Sequence, residues 1–288
     1  MTASAPSSRS GGAEARRARR AARSGRFGVL AAAMAAIAAL PLGGCEGTSI
    51  GNPPGATGAQ IQLGLQGRVV GASARGGALP DAGVVGGEES SPVVLDEVWL
   101  AFGDASLLAA GHCGADGGQP PGDDVGAFAA ELVSGRVLPA RPVWSRPADE
   151  GYCQLRTRLD GASAAVAGAP AGLEGVTLFA RGKRLDGVPL EAHVALPAEV
   201  ARGSEAAAFS LGSGAVGMVL VFDFDDWFLP EPLAAAAVEG GRILIDSTHN
   251  APIAASISAA VPPSARLFRD DDRDGRHDEA AEREELGY

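Results

Sequence analysis

The sequence predicts a mainly β fold, namely an antiparallel β-sandwich-like domain with a few short helices towards the C-terminus. Several segments alternate apolar and polar residues with a period of two, which is typical of half-buried strands. The 288 residues include 41 glycines and 19 prolines, and so many chain breakers disfavour long helices. Strands separated by turns, with little helix between them, indicate a sandwich.

The composition is that of a globular protein. Apolar residues make up 46% and charged residues 20% of the chain, which argues against full disorder. We divide the chain into a signal segment (1–44), a Gly- and Pro-rich tether (45–58), a β-rich domain (59–265) and a C-terminal segment (266–288).

The first strand predictions follow from apolar patterning. Segment 60–70 alternates isoleucine and leucine with glutamine, which indicates a half-buried strand, and 93–102 is apolar enough for a largely buried one. Segment 154–159 alternates leucine and threonine with arginine. Segments 71–92 and 111–126 are rich in glycine and proline and are predicted loops.

The strongest hairpin prediction lies in the middle of the chain. Segments 176–181 and 188–196 both alternate, and Asp186-Gly187 between them is a turn signal. Segment 217–228 predicts a further strand with apolar residues on both faces.

Helix patterns occur late. Segment 230–238 predicts a short helix, 242–245 a short strand, and 251–260 a second helix. We expect Asn250 to be the N-cap of that helix and the Pro-Pro pair at 262–263 to end it.

The N-terminal segment has the pattern of an export signal. Seven arginines and a single acid precede an apolar run of sixteen residues, which is short for a membrane-spanning helix of ~20 residues but suits a signal-peptide core. The run leads into Leu42-Gly43-Gly44-Cys45, which resembles the lipobox of bacterial lipoproteins. That resemblance implies cleavage before Cys45, a diacylglycerol on its sulfur and an acyl chain such as palmitate on its amine.

The same resemblance implies a protein of the cell envelope that is held at the membrane by its lipid. Several acyl chains at ~0.8 kcal/mol per buried methylene anchor a protein stably. Glu46 follows the cysteine at the position where aspartate favours inner-membrane retention, so we expect the outer membrane. The alternative is an ordinary secretory peptide, or a membrane anchor with an incidental cysteine.

Removal of the signal segment leaves 17 basic and 34 acidic residues, a net charge of −17. Such a charge repels phosphate backbones and excludes nucleic acid as a partner. A negative charge of this size favours divalent cations as partners.

Two cysteines remain once Cys45 carries lipid. In an oxidising compartment, Cys113 and Cys153 are expected to form a disulfide, which would fasten the loop at 111–126. The alternative is the transition-metal site of a periplasmic metal carrier, built from His112, Cys113, Cys153 and His193. No CxxC or HxxxH spacing supports that site.

The most specific chemical pattern is DDDRDGRHD, which begins at Asp270. Oxygen-bearing residues at positions 1, 3, 5 and 9, with glycine at position 6, suit a loop that wraps a hard cation. The pattern resembles the DxDxDGxxD loops of EF-hand-like and thrombospondin type 3 calcium sites. That resemblance implies side-chain ligands from Asp270, Asp272 and Asp274, a carbonyl ligand from Arg276, and Asp278 as a direct or water-mediated ligand.

Two positions depart from the calcium-loop pattern. Ala281 stands where a bidentate glutamate is usual, although Glu282 is next to it, and His277 replaces an aliphatic residue. We therefore expect one structural site of about 10⁻⁴ to 10⁻³ M affinity rather than a regulatory pair. Phe268 and Leu286 are expected to dock the loop, and a solvated charged tail is the alternative.

Catalytic patterns are weak. Asp223 and Asp225 are expected on one strand face beside Trp227, which suggests an envelope hydrolase acting on carbohydrate or peptidoglycan as an alternative function. Segment 246–249 contains Asp, Ser, Thr and His, but residues adjacent in sequence rarely form a catalytic triad, and a turn is the simpler interpretation. The sequence therefore favours a non-catalytic binding or structural module over an enzyme.

Overall fold

The computed structural model describes residues 59–68, 84–85, 92–112, 125–146, 151–161, 166–203, 208–210, 216–278 and 285–286. Strands dominate these residues, as the sequence predicts, and two helices accompany them. In chain order the strands are β1 (Ala59–Arg68), β2 (Val84–Val85), β3 (Val93–Ala109), β4 (Phe128–Glu131), β5 (Arg136–Leu138), β6 (Val143–Arg146), β7 (Gly151–Leu159), β8 (Leu178–Arg184), β9 (Pro189–Val194), β10 (Ala198–Gly203), β11 (Phe209–Ser210), β12 (Val216–Asp223), β13 (Ile243–Ile245) and β14 (Ala265–Asp270). The helices are α1 (Pro230–Ala234) and α2 (Ala251–Ser264).

The smaller sheet, sheet A, has four strands in the order β14-β12-β1-β6. β1 lies parallel to β12, with Ile61 opposite Val216 and Arg68 opposite Asp223. The outer strands β6 and β14 run antiparallel to their neighbours. The parallel pair departs from the purely antiparallel prediction. Parallel strands need a long connection, and most of the second sheet lies between β1 and β12 in the chain.

The larger sheet, sheet B, has ten strands with the main order β10-β7-β3-β8-β9-β13. Its longest strand, β3, pairs along one edge with β8 over its first half and with β7 over its second half. β4 pairs with the opposite edge. β3 extends past the predicted end at residue 102, because the chain stays mostly buried up to Ala109. A second parallel pair joins β9 and β13.

The hairpin predicted within 176–196 is confirmed. β8 and β9 pair in antiparallel fashion, with Leu178 opposite Val194. In the turn between them, Gly187 has a φ of +88°, a conformation that glycine adopts without steric cost. The Asp186-Gly187 signal thus marks the turn correctly.

The core lies between the two sheets. Phe102 of sheet B lies 6.5 Å from Phe222 of sheet A, measured between ring centroids, and this aromatic contact joins the sheets. Within sheet B, Phe102 also stacks on Phe128 at 4.6 Å. The other side of β12 is also apolar and packs with Phe268 on the outer face of sheet A. The core residues of β1 and β12 are Ile61, Leu63, Leu65, Val216, Met218, Leu220 and Phe222.

Helix α2 continues beyond its predicted end. The prediction that the prolines at 262–263 end the helix is wrong, because α2 runs through both to Ser264. The guanidinium of Arg202 donates hydrogen bonds to the carbonyl oxygens of Pro262 and Ala265, each at 2.5 Å. The Pro262 carbonyl also accepts the Ala265 N–H, so the guanidinium adds charged donors at the C-terminus of the helix.

Asn250 occupies the predicted N-cap position of α2 but does not cap it with its side chain. Its φ of 48° is left-handed. The side-chain amide instead accepts a hydrogen bond from the Ala237 N–H and donates to the Ala237 and Leu244 carbonyls. Asn250 therefore joins β13 to the segment after α1.

Three boundaries also differ from the sequence predictions. β12 ends at Asp223, five residues earlier than predicted, and a turn follows it. The predicted loop at 71–92 contains β2, which pairs with β3. The predicted C-terminal segment begins inside β14, an edge strand of sheet A.

The predicted signal segment (1–44) and tether (45–58) lie outside the described residues. Among the residues that the structure does describe, none belongs to a helix long and apolar enough to cross a membrane.

Candidate metal centre

The segment that begins at the last residue of β14 forms a docked loop, here called the Asp loop (270–278), on the outer face of sheet A. The His277 N–H donates to Oε1 of Gln66 on β1 at 2.8 Å, and Arg276 Nη2 donates to the Ser134 carbonyl at 3.2 Å. The carbonyl of Gly275 lies so close to Gly64 that no Cβ would fit there. These contacts favour an ordered loop over a solvated tail.

Asp270 organises the turn of the Asp loop. It is 2% exposed, and its carboxylate accepts hydrogen bonds from the N–H groups of Arg273 at 2.6 Å and Gly275 at 3.0 Å. Opposite Asp270 in the β12–β14 register, Gly217 leaves room for the carboxylate. Gly275, with a φ of +76°, supplies the left-handed residue that the pattern places at position 6.

The next two aspartates of the pattern repeat this bonding. Asp272 Oδ1 accepts a hydrogen bond from the Asp274 N–H at 3.1 Å, and Asp274 Oδ1 accepts one from the Arg276 N–H at 2.7 Å. Each leaves its second carboxylate oxygen outside these bonds. Arg141, which lies just before β6, donates to the Asp274 carbonyl at 3.0 Å and adds a further contact to the loop.

The carboxylates of Asp270, Asp272 and Asp274 converge. One oxygen from each lies within 4.8 Å of the others, with Asp270 buried and the other two exposed. Burial raises the pKa of Asp270, and the negative charges of Asp274 and Asp272 raise it further, while the two backbone N–H groups act in the opposite direction. A cation placed among the three would offset this repulsion, and oxygen donors of this kind suit calcium or magnesium.

The remaining predicted ligands have a weaker basis. Asp278 does not belong to the converging group of carboxylates. The Arg276 ligand would be a backbone carbonyl, which the convergence of side chains does not test. Their roles stay predictions. The two expected anchors are both buried, since Phe268 is 6% and Leu286 is 4% exposed. Leu286 also donates its N–H to the Leu267 carbonyl at 2.8 Å.

Asp223, the last residue of β12, belongs to an ion-pair cluster on sheet A. Its carboxylate pairs with Arg68 at 2.5 Å and Arg266 at 3.0 Å, and Arg266 also pairs with Glu285 at 3.3 Å. The expectation that Asp223 and Asp225 share a strand face is wrong, because β12 ends before Asp225. The cluster gives Asp223 a structural role in joining β1, β12 and β14.

The cysteine predictions are only partly within the described residues. Cys153 on β7 is 1% exposed, and its sulfur lies 3.6 Å from the Leu108 carbonyl at the end of β3. A short 3-10 turn (Ala110–His112) follows β3 and leads directly to position 113. Cys113 and the lipidation residue Cys45 lie outside the described residues, so the disulfide and the lipid stay predictions.

His193 contacts a carbonyl and a carboxylate. Its ring nitrogens contact the Gly172 carbonyl and the carboxylate of Glu191, on the outer face of sheet B. Within the described residues, the groups with metal-binding geometry do not include His193 or Cys153.

Several residues that build the candidate site carry no sequence signal. Gly64, Gln66 and Arg141 are distant from the Asp loop in sequence, and only the pairing of β1 with β12 and β6 brings them near it. The aspartate pattern could identify the loop, but not the surface that receives it.

No protein-family model, curated protein or solved structure matches this chain. The function is therefore inferred from the residues and their geometry.

Proposed function

We propose that the protein is a lipid-anchored, non-catalytic binding or structural module of the cell envelope, whose Asp loop binds calcium. The convergence of Asp270, Asp272 and Asp274 on a docked loop is the observation that supports the calcium site. The lipobox-like sequence at Cys45 supports the anchor.

Calcium would act as a structural ion in this proposal. It would draw together three carboxylates that otherwise repel one another, and would hold the Asp loop against sheet A. Two of the three groups are exposed, which suits a weak site of about 10⁻⁴ to 10⁻³ M rather than a tight, enclosed one.

Calorimetry and thermal unfolding in the presence of calcium test the site. At ten times the Kd, a ligand that binds only the folded state stabilises it by RT ln 11, about 1.4 kcal/mol. For a chain of this size we expect the Tm to rise by about 3 to 5 °C.

Asp270→Asn should abolish the calcium-dependent shift. Asp271→Asn is the matched control. It removes the same charge from the same loop, but Asp271 lies outside the converging group and pairs with Arg269. Equal shifts in both variants, or no binding heat at millimolar calcium, would contradict the calcium site.

Mass spectrometry of the protein extracted from bacterial envelopes tests the anchor. We expect an N-terminus at Cys45 that carries a diacylglycerol, and an uncleaved, unlipidated chain for Cys45→Ala. An intact N-terminus or an unmodified thiol in the wild type would contradict the anchor and leave the calcium site unaffected.

A further inference from the structure

A second organised surface lies on the outer face of sheet B. Trp99 and Phe179 are fully buried there, although they point away from the main core. The segment 166–176, here called the covering segment, lies over them and inserts Leu173, which is also fully buried. Gly172 packs against the Phe179 ring so closely that a Cβ would not fit.

A chain of polar side chains crosses the same face and ends on the covering segment. Trp99 donates its indole N–H to Glu97 at 2.8 Å, and Arg181 contacts Glu97 at 3.4 Å and Glu191 at 3.8 Å. His193 then links Glu191 to the covering segment. Its Nε2 lies 2.7 Å from Glu191 Oε1, and its Nδ1 lies 2.9 Å from the Gly172 carbonyl.

Both partners of the His193 ring are pure acceptors. A carboxylate and a backbone carbonyl offer lone pairs and no proton, so each of the two contacts is a hydrogen bond only if the ring nitrogen carries the hydrogen. A neutral imidazole has one N–H and can make one of these bonds. The complete arrangement therefore requires the imidazolium form.

We propose that His193 is a proton-operated latch that holds the covering segment over the Trp99–Phe179 surface. When the imidazolium loses a proton, the stronger, charge-assisted bond to Glu191 is kept and Nδ1 loses its hydrogen. The Nδ1 lone pair then faces the lone pairs of the Gly172 carbonyl. The attraction between sheet and covering segment becomes a repulsion.

The charges around His193 set the direction of the pH dependence. The hydrogen bond from His193 lowers the pKa of Glu191, and the positive charges of His193, Arg181 and Arg242 lower it further although partial burial opposes them. Glu191 therefore stays ionised in the range from pH 5 to 8, where histidines change charge. Glu97 of β3 pairs with Arg181, and the guanidinium of Arg136 on β5 lies 4.8 Å from the centroid of the Trp99 ring. Glu174 of the covering segment is exposed.

Amide exchange measured by NMR on the whole protein tests the latch. The Leu173 and Val176 amides bond to carbonyls within the covering segment and report its opening. After correction for intrinsic exchange rates, we expect their protection to fall about five- to tenfold from pH 5.5 to pH 8, which corresponds to one hydrogen bond lost.

His193→Gln removes the titrating ring but keeps an amide donor, so protection should not vary with pH. His249→Gln is the matched control, because His249 also contacts carboxylates but lies in a different turn. In this variant, protection of the Leu173 and Val176 amides should fall with pH as it does in the wild type. Ring ¹⁵N shifts of wild-type His193 should show two protonated nitrogens at pH 5.5 and one at pH 8. A pH-independent ring, or the same loss of protection in His193→Gln, would overturn the proposal.

Discussion

At the scale of single residues, glycines decide whether the Asp loop can lie on sheet A. Strand interiors usually disfavour glycine, because it has no side chain to pack. Gly64 and Gly217 are exceptions, since the space beside them is filled by the Gly275 carbonyl and the Asp270 carboxylate. A missing side chain in the strand therefore makes room for the loop.

Gly64→Ala is expected to lift the Asp loop from the sheet. The added methyl group would meet backbone rather than a flexible side chain, so we expect a loss of about 1 to 3 kcal/mol in the free energy of unfolding, measured by urea titration. Gly126→Ala, where no atom lies within 4 Å of the new methyl group, should change stability by less than about 0.5 kcal/mol. Equal losses in the two variants would argue against the docking contact.

The turn before α2 contains a histidine whose charge contributes to stability. His249 contacts Asp246 at 2.9 Å and Glu239 at 3.7 Å. The hydrogen bond to Asp246 and the charges of both acids raise the pKa of His249, although partial desolvation opposes this. Because the folded-state pKa lies above the unfolded one, the stabilisation is complete below the unfolded value and disappears as the pH rises through the folded value.

His249→Gln should therefore lower stability at pH 5.5 more than at pH 9. Denaturant titrations of wild type and variant at pH 5.5, 7 and 9 measure the difference. If the wild type and the variant differ by the same amount at all three pH values, the charge of His249 does not contribute.

At the scale of elements, the sequence predicted the features that depend on residues close to one another in the chain. The β8–β9 hairpin follows from an Asp-Gly turn between two alternating segments. The Asp loop follows in the same way, because its aspartates bond to backbone groups two to five residues away.

Features that depend on residues far apart in the chain were not predicted. β14 holds arginines at positions 266 and 269 that resemble a charged tail, and only its pairing with β12 makes it a strand.

The end of α2 depends in the same way on a distant residue. Arg202→Met keeps the apolar stem of the side chain but removes the donors to Pro262 and Ala265, so we expect a loss of about 1.5 to 3 kcal/mol in the free energy of unfolding. Arg158→Met, at a largely exposed ion pair with Asp104, should lose less than about 1 kcal/mol. Chemical denaturation compares the two. A neutral Arg202→Met variant would mean that water replaces the guanidinium at the helix end.

At the scale of the whole molecule, the two sheets confirm the mainly β prediction but not a purely antiparallel arrangement. The apolar alternation in β1 and β12 correctly identifies residues that face the core. It does not identify the partner of either strand, because residues of similar polarity occur in many strands. Strand order and direction therefore required the structure.

A disulfide between Cys113 and Cys153 would constrain the molecule as a whole. Closing a loop of about 41 residues stabilises by roughly 4 kcal/mol in the chain-entropy model. We expect a reductant to lower the Tm of the wild type and to leave Cys153→Ala unchanged, with the linked peptides visible by non-reducing mass spectrometry. Two free thiols in the native protein would contradict the pairing.

The pairing of β1 with β12 has a consequence for the order in which the molecule is completed. A polypeptide that emerges from a ribosome or a translocation channel presents β1 long before its parallel neighbour. Until β12 arrives, the apolar side of β1 lacks that cover and is a target for chaperones or for aggregation. Sheet A is finished only when β14, which follows β12 in the chain, joins its edge.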